Sequence, residues 1–313
     1  MSVKVVAITG AGRSGSTVLD NVLGEIEGFV SVGELRFLWQ RSLIDRRLCG
    51  CGKTVYECEL WPRVFEAAFG GIEAVDAAHV AGLMERVRTR YTPAAVLPPA
   101  RGWYRGRLAP LVPFLDSLYS AIAETTGARV IVDSSKVPAH TFLLSLVPSI
   151  DLHVVHLVRD PRAVALSQSR PKRQLDTTDE REMTRTAPVE TAAYWVMWNA
   201  ATRATFKRHP NYTMLTYESL MAEPEAAIRM LLDRIGEPDA VLPFTEGRTV
   251  RLHPNHTVSG NPSRFTTGDV TLRADEAWRH EMRPADRRLV TAVAAPFMRP
   301  YGYPLRLTAD AVA

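Results

Sequence analysis

Short, almost wholly apolar runs recur along the chain and alternate with stretches of helical periodicity. Residues 3–8 (VKVVAI) form the first run; a small-residue loop, 9–16, follows, and then Val18, Leu19, Val22, Leu23 and Ile26 fall at helical spacing over 17–26. An apolar run bounded by glycines reads as a parallel strand buried on both faces. Residues 29–32 form a second short strand, with Gly33 and Glu34 directly behind it, and 35–44 reads as helical. Strands are expected again at 129–133 (RVIVD), 152–158 (LHVVHLV) and 212–217 (YTMLTY). Helices are expected from Pro138, from Pro161, over 187–209 and 224–235, and over 284–295. In 224–235, Ile228, Leu231, Leu232 and Ile235 share one face, Pro224 opens the helix and Gly236 closes it. Alternation of this kind implies a mostly parallel sheet of about five strands, flanked by helices and joined by right-handed crossovers.

Three stretches depart from that rhythm. Residues 61–128 read as a mostly helical insertion with a Pro- and Arg-rich interruption at 93–110, whose Arg101, Trp103, Tyr104, Arg105 and Arg107 are expected to border an acceptor site. Residues 170–185 are densely charged and read as an exposed, mobile loop. The run HTVSGNPSRFTTG shows no periodicity. Trp195 and Trp198, on the long helix, are expected in the core.

The loop after the first strand brings in chemistry. Residues 10–17 fit the phosphate-cradling template G-x-x-x-x-G-K-[ST] except that Ser16 stands where the template has lysine. Glycines let the backbone turn several N–H groups inward, and the helix that follows adds its positive end. The missing lysine normally reaches the β and γ phosphates of a triphosphate. A loop without it, carrying Arg13 instead, suits a phosphate-bearing ligand other than ATP with magnesium. A second polar cluster closes the third strand: Asp133, Ser134, Ser135, Lys136. A third closes the fourth strand, where Arg159 is followed eight residues later, about two helical turns, by Ser167. Glu34 also falls at the carboxyl end of a strand, the edge where open parallel sheets collect ligands. As a bare sequence feature it is equally a first-turn acid.

Composition narrows the class. The chain has 313 residues, 46% hydrophobic and 23% charged, with a net charge of +4. This is ordinary for a globular protein and too diffusely basic to argue for nucleic acid. No apolar stretch reaches membrane-spanning length, and a strand begins almost at the N-terminus, so a cytoplasmic location without a signal peptide is expected. Cys49, Cys51 and Cys58 cluster in LCGCGKTVYEC. They read as reduced thiols in a tight Gly-rich turn, since a zinc site would need a fourth ligand from a distant histidine.

Taken together, these segments resemble the sulfotransferases that use 3′-phosphoadenosine-5′-phosphosulfate (PAPS). GAGRSGSTVL resembles their 5′-phosphosulfate loop, LVRDPRAVALSQS their 3′-phosphate motif, and YESLMAEP their adenosine-contacting segment. SVGELRFLW, CGCGKTVYECELW, VDSSKVP and VSGNPSRF are similar to the bacterial branch related to tyrosylprotein sulfotransferases. The resemblance spans most of the chain apart from about 65–127. It implies a single domain over 1–313 with the P-loop NTPase-like sulfotransferase fold.

The resemblance also implies roles. Gly12, Arg13, Ser14, Gly15, Ser16 and Thr17 would bind the 5′-phosphosulfate. Arg159 and Ser167 would hold the 3′-phosphate, with Arg264 completing that pocket, and Tyr217 would contact the adenine. Glu34 would be the general base, and Lys136 and Arg13 would stabilise charge on the sulfuryl and leaving groups, with Ser259 assisting. The cytosolic animal branch uses a histidine base; no histidine here stands in a comparable motif, which leaves His140 and His256 as alternatives. The acceptor implied is a hydroxyl of a natural product, carbohydrate or lipid, attacked in line with departure of the desulfated nucleotide (PAP), with no metal required. A homo-oligomer is compatible with the sequence. Two other readings compete: a P-loop small-molecule kinase, and a non-catalytic nucleotide-binding module of the same fold.

Overall fold

The computed structural model describes residues 2–177, 179 and 181–306. A five-stranded sheet lies at its centre, built from β1 (Val3–Thr9), β2 (Phe29–Gly33), β3 (Val130–Lys136), β4 (Ile150–Val158) and β5 (Tyr212–Thr216). Its order is β2-β3-β1-β4-β5, and every neighbouring pair is parallel. The expected parallel sheet of about five strands flanked by helices is therefore present.

Alternation along β1 assigns the two faces. Val3, Val5 and Ala7 join one core with Trp61, Phe65, Leu115, Leu118 and Leu143, so the inserted helices Trp61–Phe69 and Val112–Thr126 cover that side together with Pro138–Leu144. Val6 and Ile8 join a second core with Leu19, Val22 and Leu23 of helix Ser16–Gly24 and with Ile228, Leu231 and Leu232 of helix Pro224–Ile235. Burying each such aliphatic side chain contributes about 1.5–3 kcal/mol, and both faces of the sheet are closed by it.

In this central sheet the described pairing is irregular only at the carboxyl ends of the strands, where it matters most. The register of β1 on β3 shifts between Ala7 and Thr9, bringing Thr9 opposite Lys136, and that of β2 on β3 shifts between Ser31 and Gly33. Lys136 takes a left-handed φ of 68° at its shift. An extra residue in one strand re-aims the side chains beside it; here the affected residues are Lys136 and, next to Gly33, Glu34.

Several expectations need correction. Residues 35–44 do not form an α-helix: a 3₁₀ turn, Leu35–Phe37, runs into a π-helical stretch, Leu38–Ile44. The non-periodic run 256–268 is flanked by a small antiparallel sheet that the sequence did not predict, β6 (Phe244–Glu246) and β7 (Thr249–Leu252) before it and β8 (Gly268–Thr271) at its end, packed over helix Ser16–Gly24 through Val250 and Leu252. The interruption at 93–110 contains a helix, Pro98–Leu108, in which Tyr104 is buried and stacked on Phe142 at 5.5 Å. Among the described residues no helix is long and apolar enough to cross a membrane.

Candidate active site

A cavity of about 540 Å³ opens above the carboxyl ends of β1–β4. Its floor is the loop after β1. Gly12, Arg13, Gly15, Ser16 and Thr17 line it; Ser14 does not, being buried with its Oγ unpartnered among the described residues. Helix Ser16–Gly24 starts at Ser16, so its first-turn N–H groups lack intrahelical acceptors and face the loop end. Gly15 is required here: its φ is +89°, and a Cβ would lie 2.6 Å from Cδ2 of Tyr217. Arg13 is also left-handed, at φ 63°. Its Nε donates to Gln168 Oε1 (3.0 Å), and burial lowers its pKa while the charge of Glu34 opposes that shift.

On one side of the loop stands Arg159, at the end of β4. Only 5% exposed, it donates from Nη1 to the Arg13 carbonyl (3.2 Å) and from Nη2 to the Asp275 carbonyl (2.7 Å) and Oδ2 (3.1 Å). Its guanidinium lies 4.1 Å from the Tyr217 ring centroid, and its Nε has no partner among the described residues. The Tyr217 hydroxyl accepts from the Asp275 N–H at 3.0 Å. Ser167 and Gln168, on helix Pro161–Ser169, line the same wall.

On the other side lie Glu34 and Lys136, delivered by β2 and β3. Lys136 Nζ donates to Glu34 Oε1, and Arg41 Nη1 lies 3.9 Å from Glu34 Oε2. The Glu34 N–H donates to the Val258 carbonyl (2.8 Å), which fixes the residue against the segment carrying Ser259 and Gly260. Arg41 also donates from Nη1 to Ser259 Oγ (2.6 Å) and covers the Phe37 ring at 3.8 Å. Burial lowers the Arg41 pKa and Glu34 counters it. The π-helical winding thus brings Phe37 and Arg41 onto the cavity wall together, and such stretches concentrate at functional sites. Arg13, Lys136 and Ser259 are three of the four non-glycine residues described with positive φ. Strained backbone of this kind clusters where geometry is held for function.

The roof comes from described residues of the charged stretch 170–185. Lys172, Gln174, Leu175, Asp176, Met183 and Thr184 line the cavity; the backbones of Arg173 and Glu182 pair in an isolated antiparallel β-bridge, and Lys172 Nζ donates to Asn261 Oδ1 at 2.7 Å. Trp198 is half-buried, with part of its surface on the cavity rather than wholly in the core; Trp195 is fully buried. Six cations (Arg13, Arg41, Arg47, Lys136, Arg159, Lys172) face three carboxylates (Glu34, Asp176, Asp275) across this space. Two or more anionic groups fit that balance.

Two expected participants lie elsewhere. Arg264, 2% exposed, does not reach the cavity: Nη1 donates to the Thr257 carbonyl (2.6 Å) and Nη2 to the Leu48 carbonyl (2.5 Å). Loop carbonyls needing donors claim it instead of a ligand phosphate. Ser259 does not line the cavity and acts on it only through Arg41. His140 is buried against Asp133, Nε2 to Oδ2 3.1 Å, and His256 lies beside Cys58, so neither lines the cavity. None of Arg101, Trp103, Tyr104, Arg105 and Arg107 lines it either. Conversely, Phe37, Arg41, Lys172 and Asp275 were not singled out from the sequence; Phe37 falls within SVGELRFLW, no motif marks the other three, and tertiary folding brings all four here.

A sequence model described as "Sulfotransferase family" matches residues 6–240. Among solved structures, a sulfotransferase domain from the curacin biosynthetic pathway aligns over 97% of this chain and 99% of its own, at 14% identity and a TM-score of 0.49. A sulfotransferase domain from the Synechococcus PCC 7002 olefin synthase aligns over 97% and 96%, at 19% identity and a TM-score of 0.46. A sulfotransferase from Alicyclobacillus acidocaldarius aligns over 96% and 94%, at 14% identity and a TM-score of 0.40. No curated protein matches the chain.

Proposed function

Because the chain belongs to the sulfotransferase family, we propose that it moves the sulfuryl group of PAPS to a hydroxyl of a small-molecule acceptor. One observation carries this reading: Arg159 with its unpartnered Nε and the Glu34–Lys136 pair line one cavity, with the glycine-rich loop between them. The volume, about 540 Å³, is in the range of about 300–1,000 Å³ usual for small-molecule sites. Arg159 and Ser167 would hold the 3′-phosphate, Tyr217 the adenine, and Gly12, Arg13, Gly15, Ser16 and Thr17 the 5′-phosphosulfate. Arginine suits the first task because its fork of donors matches a phosphate. With Ser16 in the lysine position and a separate cationic wall at Arg159, the site favours this donor over ATP with magnesium.

When bound, PAPS supplies the sulfuryl group and leaves as PAP. Glu34 takes the proton of the acceptor hydroxyl as its oxygen bonds to sulfur, a role worth about 10²–10⁴-fold in rate. Lys136, Arg13 and the first-turn amides offset negative charge gathering on the sulfuryl and bridging oxygens. Arg41 and Lys136 hold the Glu34 carboxylate in place beforehand. The acceptor, whether natural product, carbohydrate or lipid, would lie against Phe37, Leu175 and Trp198, the apolar part of the wall. The test is transfer of labelled sulfate from PAPS to a panel of hydroxylated acceptors, with calorimetry of PAP against ATP-Mg²⁺ alongside. Tight PAP binding with sulfate transfer supports the proposal. Preference for ATP-Mg²⁺ would move it to the kinase reading, and PAP binding without any transfer to the non-catalytic one.

A further inference from the structure

The three cysteines are joined in space by a histidine about two hundred residues further along the chain. The Sγ atoms of Cys49, Cys51 and Cys58 and a ring nitrogen of His256 all lie within 4.8 Å of one another. Cys58 Sγ is 3.8 Å from Cys49 Sγ and 3.2 Å from His256 Nδ1. In a tetrahedron with metal–sulfur bonds of about 2.3 Å, neighbouring sulfurs stand about 3.8 Å apart. The Cys49–Cys58 spacing is therefore that of two ligands on one ion and far longer than a disulfide.

The surroundings resemble a metal site's supporting shell more than a casual cluster. The Leu60 N–H donates to Cys58 Sγ (3.5 Å), and the Trp61 indole N–H donates to the His256 carbonyl (3.0 Å), fixing the histidine's backbone. Gly50, between two of the cysteines, has no room for a Cβ, which would meet Asn255 Oδ1 at 2.0 Å. Arg264 spans the two ligand-bearing segments through the carbonyls of Leu48 and Thr257, each adjacent in sequence to a ligand. Three thiolates and a neutral imidazole around a divalent ion leave one net negative charge, and this buried guanidinium lies close enough to offset it.

We propose that Cys49, Cys51, Cys58 and His256 bind a structural zinc ion. Three sulfurs and one nitrogen in a closed tetrahedral set suit zinc over harder divalent cations. With all four positions filled by protein the ion has no open site for substrate. It ties the 49–58 loop to the segment that runs on through Ser259, Gly260 and Asn261 into the cavity wall, and so braces the side of the cavity where Arg41 and Glu34 are held. Binding releases the thiol protons of the three cysteines. The inference stands whether or not PAPS is the donor.

Metal analysis of the full chain, purified under reducing conditions without chelator, should find one zinc per chain. After chelator stripping, cobalt(II) should restore stoichiometric binding and give the intense visible ligand-field bands of a tetrahedral thiolate site, with a thiolate charge-transfer band in the near ultraviolet. Zinc should displace both. Cys51→Ser, at the half-exposed position, should weaken metal affinity at least tenfold while keeping the far-ultraviolet spectrum. His256→Gln should shift the cobalt bands. A freshly purified chain with no zinc and no cobalt–thiolate spectrum, or one carrying a Cys49–Cys58 disulfide, would overturn the proposal.

Discussion

Glu34 allows a separation of two roles that a buried carboxylate can have. It is 7% exposed and paired with Lys136, whose side chain is 15% exposed, and with Arg41, 32% exposed. In Glu34→Gln the acceptor oxygen for Lys136 survives but the charge does not, leaving two cations facing each other. Breaking a fully buried pair costs about 3–5 kcal/mol. Because both cations keep some water and one hydrogen bond persists, about 1–3 kcal/mol is expected here. Turnover should fall by about 10²–10⁴ if the carboxylate is the base. Adding Lys136→Met removes one of the stranded cations. Neighbours couple by about 0.5–3 kcal/mol, so the double variant should recover part of the lost stability. It should not recover rate. Urea denaturation, labelled-sulfate transfer at saturating donor and acceptor, and calorimetric PAP binding on the wild type and the two variants make the comparison. A Glu34→Gln enzyme turning over within a few-fold of wild type, or a double variant that regains turnover, would show that Glu34 is only a structural partner of Lys136.

Arg159→Ala removes charge-assisted contacts worth about 1.5–3 kcal/mol, so PAP affinity should drop about 10- to 150-fold by calorimetry; unchanged affinity would detach Arg159 from the 3′-phosphate. Gly15→Ala places a Cβ against Tyr217 on a left-handed backbone and should cost about 1–3 kcal/mol in denaturation along with most nucleotide binding; wild-type values in both would disprove the close approach. Asp20 gives a pH prediction. Burial raises its carboxyl to about 7 from 3.8, so its contribution is whole below about pH 4 and is lost as pH rises through about 7. Asp20→Asn should flatten the fall in urea stability between about pH 4 and 7, by at most about 4 kcal/mol. A slope unchanged by the substitution would place the titration elsewhere.

Both the successes and the failures of the sequence reading have physical causes. All five central strands were legible because each is a short, predominantly apolar run between turn residues, and in β1, β3 and β4 burial on both faces leaves no other place for such a run. The loop, Glu34, Lys136, Arg159 and Ser167 were legible because each sits at or just beyond a strand's end, where topology alone puts it over the sheet. β6 and β8, with three and four residues, are too short and exposed to show a period. Arg264 lies outside the cavity because a guanidinium's destination depends on which carbonyls the fold leaves unpaired, and those of Leu48 and Thr257 are brought together only in three dimensions. For the same reason the charged stretch 170–185 read as a free loop, yet Asp176 is buried and the Leu48 N–H donates to its carbonyl at 2.9 Å.

The strand order has a consequence for inheritance. β1 lies in the middle, so the loop it feeds is shared, while β4 on one flank supplies Arg159 and β3 and β2 on the other supply Lys136 and Glu34. On the proposed reading, the grip on the nucleotide and the contacts that choose its partner are encoded by separate stretches of chain. Phe37, Leu175 and Trp198 can drift toward a new acceptor without touching Arg159, Ser167 or Tyr217. A lineage built on this sheet can diversify its products while its donor stays the same.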